Sequence, residues 1–161
     1  MHLPQLIVFD LDFTLWDCDG TWCDCLSPPF RLQSGQVLDA QGRSVQLYSD
    51  VRDVLAHCDQ QNWKMALASR TEQPTWAKEL TELLEIANLF TYSEIYPSSK
   101  LAHFSAIRKS SNVEFHQMLF FDDEIRNITE VSTLGVCCMH VTQGLSHGTF
   151  KEALQQFQSH C

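Results

Sequence analysis

A chain of 161 residues with 44% hydrophobic and 19% charged residues carries enough apolar material for one buried core, and too much for a disordered polymer. Its net charge of −9 repels phosphate backbones and anionic membranes at long range, which argues against a nucleic-acid-binding role. No apolar run approaches the roughly 18 residues that a membrane helix needs, and Asp10 interrupts the first run before it could act as a signal segment. A single cytoplasmic domain over residues 1–161, monomeric and with no nucleic-acid or membrane partner, is the expectation. The cysteines are seven: Cys18, Cys23, Cys25, Cys58, Cys137, Cys138 and Cys161. An odd set of this kind fits free cytoplasmic thiols better than a secreted disulfide framework.

The first predicted element is Leu6-Ile7-Val8-Phe9, a short apolar run of the type that forms a buried strand of a parallel sheet. Asp10 and Asp12 follow directly. Residues two apart in extended chain point to one face, so these carboxylates project together from the strand's C-terminal end, where open α/β sheets place their ligands. The plain alternative is a polar turn in which both aspartates are solvated caps.

Residues 17–47 break the pattern with Gly20, Pro28, Pro29, Gly35 and Gly42. Within them Val37-Leu38 and Val45-Gln46-Leu47 flank Asp39-Ala40-Gln41-Gly42 and predict a small hairpin. An insertion here is either a lid over the site or a surface hairpin without a role in the chemistry. Cys18, Cys23 and Cys25 could begin a zinc site, yet the C-x-x-C spacing and a nearby histidine are absent.

From Ser49 as N-cap a helix is predicted to Gln60, with Val51, Val54, Leu55 and Cys58 as its apolar stripe. Residues 63–68 form a second strand that ends in Ser69-Arg70-Thr71. Pro74 opens a helix that buries Trp76, Leu80, Leu83, Leu84 and Ala87. Tyr92–Tyr96 is a weaker strand, and a helix from Lys100 to Ser110 turns Leu101, Phe104 and Ile107 inward. Met118–Phe121 is a fourth strand, closed by Asp122-Asp123-Glu124. A short helix over 127–133, a stop at Gly135, a strand over 136–141 and a last helix over 149–158 complete the chain. Strand and helix thus alternate about five times, which predicts an α/β, Rossmann-like, doubly wound parallel sheet with a minimal hairpin cap.

In such a sheet the strand ends meet at one edge. Asp10, Asp12, Ser69, Arg70, Lys100, Asp122 and Asp123 gather there although they are far apart in sequence. Clustered carboxylates with oxygen-only ligation suit Mg2+, which can orient and neutralise a phosphoryl group. A carboxylate beside it can attack phosphorus, and a second can protonate the leaving oxygen. Ser69 and Lys100 would bind the phosphoryl oxygens. Arg70 is either a surface residue or a substrate clamp, and the seven histidines show no metal-ligand spacing.

Asp10-Leu11-Asp12-Phe13-Thr14, Ser69, Lys100 and Asp122-Asp123 match in order the four motifs of the haloacid dehalogenase (HAD) superfamily. The longer stretches Phe9–Trp16, Ala68–Thr71, Glu94–Pro97 and Phe120–Glu124 resemble the magnesium-dependent phosphatase family within it. By that resemblance Asp10 is the nucleophile and a metal ligand. Asp12 is the acid/base, and its backbone carbonyl touches the metal. Leu11, Ser69, Arg70 and Lys100 bind phosphate, and one or both of Asp122 and Asp123 complete the Mg2+ shell. The resemblance also implies an aspartyl-phosphate mechanism, and phosphotyrosine or sugar phosphates such as fructosamine 6-phosphate as substrates. The alternatives are a non-catalytic zinc or redox module built on Cys18–Cys25, and a phosphotransferase on the same fold. The latter needs a larger closing cap than about 30 residues of hairpin can build.

Overall fold

The computed structural model describes residues 2–161; Met1 lies outside the described residues. In chain order the strands are β1 Leu6–Phe9, β2 Trp16–Asp17, β3 Arg31–Gln33, β4 Gln36–Leu38, β5 Ser44–Leu47, β6 Lys64–Ser69, β7 Tyr92–Ile95, β8 Met118–Asp122 and β9 Cys137–His140. The helices are α1 Val51–Gln60, α2 Pro74–Leu83, α3 Lys100–Ser111, α4 Ile125–Ser132 and α5 His147–His160. Five strands form one parallel sheet in the order β7-β6-β1-β8-β9, the predicted doubly wound α/β arrangement.

Every residue of β1 is fully buried, because helices cover both faces of the sheet. Ile7 and Phe9 pack with residues of α1, α2 and α5, whereas Leu6 and Val8 pack with those of α3 and α4. The alternation places β1 at the centre of two apolar layers. After β1 the chain winds outward through β6 and β7, then crosses back to β8 and β9 on the other side. The reversal leaves a crevice at the C-terminal end of β1, between β6 and β8.

The segment that follows β1 is more ordered than its turn-rich sequence suggests. It forms a four-stranded antiparallel sheet, β2-β5-β4-β3. The predicted hairpin is its β4–β5 pair, with Val37 opposite Val45 and Leu38 opposite Ser44. Strand β3 has no periodic signature because all three of its residues are exposed. Asp39 organises the hairpin turn: its buried carboxylate accepts the N–H groups of Ser27 (2.9 Å), Gln41 (3.0 Å) and Arg43 (2.8 Å), and the Arg43 Nε–H (2.9 Å). Phe30 meets Trp76 of α2 edge-on, centroids 6.1 Å apart, which seats this sheet on the core.

Several expectations are corrected. Leu101 is exposed; the buried stripe of α3 is Lys100, His103, Phe104, Ile107 and Ser111, and Leu101 lies about 100° around from its start. Helix α1 is preceded by Asp50, not capped by Ser49, and the Asp50 carboxylate instead accepts the His147 N–H at 3.0 Å. Ala87 falls in a separate short turn beyond α2, and Trp76 and Leu83 are only half-buried. The expectation of free thiols fails for one pair: Cys137 and Cys161 are bridged, Cα atoms 5.6 Å apart. Helix α5 runs back along β9 and delivers the last residue to the strand's first. Cys18, Cys23, Cys25, Cys58 and Cys138 are free.

Candidate active site

Each functional side chain is placed by an element end. The Asp10 N–H still donates to the Phe121 carbonyl at 3.0 Å, so Asp10 is the last residue held by the sheet ladder. The chain then turns: the Leu11 carbonyl accepts from Thr14, Leu15 and Trp16, and Phe13 adopts φ +61°. Ser69 ends β6. The Ser99 hydroxyl caps α3 by accepting the Ala102 N–H, which sets Lys100 at the helix's first position. Asp122 ends β8, and Asp123 follows it.

The structure brings these residues together. The Lys100 ammonium is buried between Asp10 (3.1 Å) and Asp122 (3.2 Å) and also donates to the Ala68 carbonyl. Burial opposes its charge, but the two carboxylates outweigh that and hold its pKa above the ordinary lysine value. Asp10 is pushed up to about 8, first by burial and then by Asp123 and Asp12, against the pull of Lys100. Asp122 and Asp123 rise to about 6, again chiefly through burial.

Asp10, Asp122 and Asp123 each offer an oxygen within 4.8 Å of the others. Three mutually repelling carboxylates with no nitrogen or sulfur donor among them are a hard-cation donor set, and Mg2+ fits it. The Asp12 carbonyl accepts no hydrogen bond among the described residues and is free to join. Asp122 is already engaged on both oxygens, by the Glu124 N–H (2.8 Å), and by Asn127 Nδ2 (3.0 Å) with Lys100. Cys18, Cys23 and Cys25 do not come together as a ligating group among the described residues; Cys18 and Cys23 are buried, and Cys25 is exposed.

Asp12 stands apart from the three-carboxylate group. Its Oδ1 accepts from Trp16 Nε1 (2.7 Å), the Cys23 N–H (3.0 Å) and, weakly, the Cys18 thiol (3.8 Å), while its Oδ2 accepts from no described donor. Burial raises its pKa. The N–H groups of Leu11 and Asp12 likewise donate to nothing described, although the Leu11 side chain is fully buried and offers only backbone. Ser69 accepts the Thr71 N–H at 3.4 Å, and Arg70 donates to Asn127 Oδ1 at 3.1 Å. Asp10, Asp12, Ser69, Arg70, Lys100 and Asp123 line one cleft of about 360 Å³.

Sequence reasoning missed the partners. Asn127 joins Arg70 to Asp122, Trp16 and Cys23 hold Asp12, and Thr14 donates to Asp10 Oδ2 at 3.3 Å. Thr14 is itself held where its carbonyl accepts the Leu145 N–H (2.9 Å). Gly144, at φ +76°, precedes that contact because a Cβ there would strike the Tyr48 ring.

The acid phosphatase family model matches residues 2–160. The chain is 43% identical over 158 residues to the human magnesium-dependent phosphatase 1, covering 97% of this chain and 88% of that protein. It is 35% identical to a HAD-like hydrolase superfamily protein of Schizosaccharomyces pombe, covering 84% of each. Two solved structures share the fold. The phosphatase domain of a Bacteroides fragilis protein complexed with Mg has a TM-score of 0.68 at 17% identity, over 97% of this chain and 40% of that one. A HAD-superfamily hydrolase from Ehrlichia chaffeensis has a TM-score of 0.67 at 15% identity, over 98% of both. With motifs, fold and relatives in agreement, the chain belongs to the acid phosphatase family, among the magnesium-dependent phosphatases of the HAD superfamily.

Proposed function

We propose that this phosphatase hydrolyses phosphomonoesters in two steps, through a phosphoryl group carried covalently by Asp10. The observation that supports this reading best is the contrast between two carboxylates two residues apart. Asp10 is buried, paired with Lys100 and grouped with Asp122 and Asp123. Asp12 lies outside that group with one oxygen saturated and the other free.

In the first step a carboxylate oxygen of Asp10 forms a bond to phosphorus as the bond from phosphorus to the leaving oxygen breaks. Asp12 gives its proton to that oxygen. Because Oδ1 is occupied by Trp16, Cys23 and Cys18, the proton resides on Oδ2. The raised pKa of Asp12 keeps this proton available nearer to neutrality. In the second step Asp12, now a carboxylate, takes a proton from water as the water oxygen bonds to phosphorus. The bond to Asp10 then breaks, releasing phosphate. Ser69, Arg70, Lys100 and the Leu11 N–H bind the phosphoryl oxygens. Asp10, Asp123 and the Asp12 carbonyl would hold Mg2+, which would supply charge neutralisation and orientation of the phosphoryl group. Asp122, whose oxygens already accept from the Glu124 N–H, Asn127 and Lys100, would complete the donor set.

The substrates in this reading are phosphorylated small molecules or phosphotyrosine, the sugar phosphates and fructosamine 6-phosphate included, and the enzyme acts as a monomer. A cleft of about 360 Å³ has room for a ring-sized leaving group. The five free cysteines support a cytoplasmic location, although the Cys137–Cys161 bridge stands against it.

The test is to incubate Asp12→Asn with Mg2+ and an aryl phosphate, whose good leaving group needs no proton, and then to quench and digest the protein. The peptide that carries Asp10 is expected to bear a phosphoryl adduct, while Asp10→Asn shows neither adduct nor turnover. Turnover retained in Asp10→Asn would remove the covalent mechanism. Ranking kcat/KM over a phosphotyrosine peptide, fructosamine 6-phosphate and a nucleoside monophosphate settles the substrate class.

A further inference from the structure

We infer that Trp22 and Asp24 form the subsite that receives the leaving group, and that they select a ring-shaped leaving group lacking a second negative charge. The inference rests on the phosphatase reading above and concerns which esters that site prefers. Of the exposed large hydrophobic side chains, Leu3, Trp22, Leu32, Leu101 and Ile125, only Trp22 lines the cleft with Asp10 and Asp12. Its side chain is 52% exposed, so a sizeable apolar face is left in water at the mouth of the site.

That face is held in place rather than loosely exposed. The Phe13 ring meets the indole edge-on, centroids 5.8 Å apart at 85°. Phe13 keeps φ +61°, a left-handed conformation that an aromatic residue rarely adopts, and such positions cluster at sites that use them. The next residue, Cys23, donates its N–H to Asp12 Oδ1. Trp22 is therefore one peptide from a group bonded to the acid that protonates the leaving oxygen. A leaving group within reach of Asp12 lies beside the indole, where a ring can stack and a short flexible chain gains little.

Charge divides along the same line. Lys100 lies between Asp10, which receives the phosphoryl group, and Asp122, and Arg70 is tied to Asp122 through Asn127. On the cap side Asp24 Oδ2 accepts the Glu72 N–H at 3.2 Å, which fixes the turn to the loop after β6, and Glu72 lines the cleft as well. The nearby Arg126 is already paired with Glu124 at 2.9 Å. The charges left without a partner on the leaving-group side are negative, so a second phosphate or carboxylate on the substrate meets repulsion there.

The experiment compares kcat/KM for phenyl phosphate and methyl phosphate in the wild type, Trp22→Ala and Trp22→Phe, and the inhibition constants of phenylphosphonate and methylphosphonate. Trp22→Ala is expected to lower the phenyl-to-methyl ratio roughly fivefold to tenfold in both measurements, and Trp22→Phe to restore most of it. In a second arm Asp24→Asn, which keeps an acceptor for the Glu72 N–H, is expected to raise the rate on 4-carboxyphenyl phosphate relative to phenyl phosphate about twofold to fivefold. Equal losses on both esters in Trp22→Ala, or an unchanged ratio in either arm, overturn the inference while leaving the phosphatase reading intact. A wild type that turns over neither ester with Mg2+ sinks that reading and takes this inference with it.

Discussion

In the proposed mechanism Asp10 carries two demands that conflict until a cation is bound. It would sit buried beside Asp122 and Asp123 to share an ion, and it would have to be ionised to attack phosphorus. Its pKa near 8 expresses the conflict, and it makes the metal-free protein pH-sensitive in a defined direction. The folded state holds the Asp10 proton more tightly than the unfolded chain, whose carboxyl titrates near 3.8. The stability contributed by this group is thus full below that value and is lost as pH rises through about 8. His103 works the other way, its pKa depressed to about 4 chiefly by burial, so its opposing contribution is complete by the ordinary histidine pKa of 6.5. Asp122 and Asp123, raised to about 6, act in the same direction as Asp10 but are spent mostly below pH 6.5, so between pH 6.5 and 8 the Asp10 effect dominates. Denaturant melts in EDTA are expected to lose about 1–2 kcal/mol across that window. Asp10→Asn should flatten most of the slope, and Mg2+ should reverse it, since binding requires the deprotonated cluster. A wild-type protein with no slope in EDTA would show that Asp10 is ionised without metal. The gathering of Asp10, Asp12, Ser69 and the Asp122-Asp123 pair at one sheet edge was legible in the sequence because each follows or ends a strongly apolar strand. Lys100 was placed there by its position at the start of a helix after a weaker strand. Asn127, Trp16 and Cys23 were not legible, because a hydrogen bond across a turn depends on side-chain direction, which apolar periodicity does not encode.

At the scale of elements, the unforeseen feature is how firmly the small antiparallel sheet is built. Val37 and Val45 gave the hairpin away, but β3 did not, since Arg31, Leu32 and Gln33 are all exposed and bury nothing that would impose a period. Asp39 replaces hydrophobic burial as the organiser. Burial alone would raise its pKa, but the donors from Ser27, Arg43 and Gln41 reverse this and hold its carboxyl below the ordinary range. The stability it contributes is therefore present above the unfolded aspartate pKa and is lost as pH falls through the lower folded value. Asp39→Ala leaves three backbone donors and a guanidinium without their acceptor, and is expected to cost about 3–5 kcal/mol. Because those donors all lie between Ser27 and Arg43, limited proteolysis should cut first in that segment while the parallel sheet stays intact. A variant that melts like the wild type, with no new cleavage there, would show that the turn is held by its backbone alone. The turn between β2 and β3 carries Cys23 to Asp12 and Asp24 to the Glu72 N–H, so a loosened hairpin also loosens the hold on Asp12.

For the molecule as a whole, the doubly wound order was readable because four apolar runs and one weaker extended stretch alternate with helical segments, which leaves few other topologies. The closure of the chain was not readable. Nothing in the spacing of Cys137 and Cys161 marks them as partners; only the return of α5 along β9 brings them together, and it does so beyond the last apolar contact of the helix, Phe157. The bridge spans 24 residues and encloses α5 completely. In the loop-closure view a cross-link of that span stabilises the folded state by about 3 kcal/mol, mostly by restricting the unfolded chain. The N-terminal end meets the same helix, where His2 stacks on Phe157 with centroids 4.9 Å apart. Helix α5 in turn reaches the site's surroundings, since Phe150 stacks on Phe121 at 5.9 Å and Phe121 on Phe9 at 5.4 Å, directly before Asp10. Reducing the wild type is therefore expected to lower its unfolding free energy by about 3 kcal/mol, to the level of Cys161→Ser, which should itself be insensitive to reductant. Comparing melts with and without dithiothreitol, alongside mass spectrometry of alkylated thiols, makes the check. If the oxidised wild type and Cys161→Ser melt together, α5 is held by Phe150, Ala153 and Phe157 alone, and the bridge adds nothing to the fold.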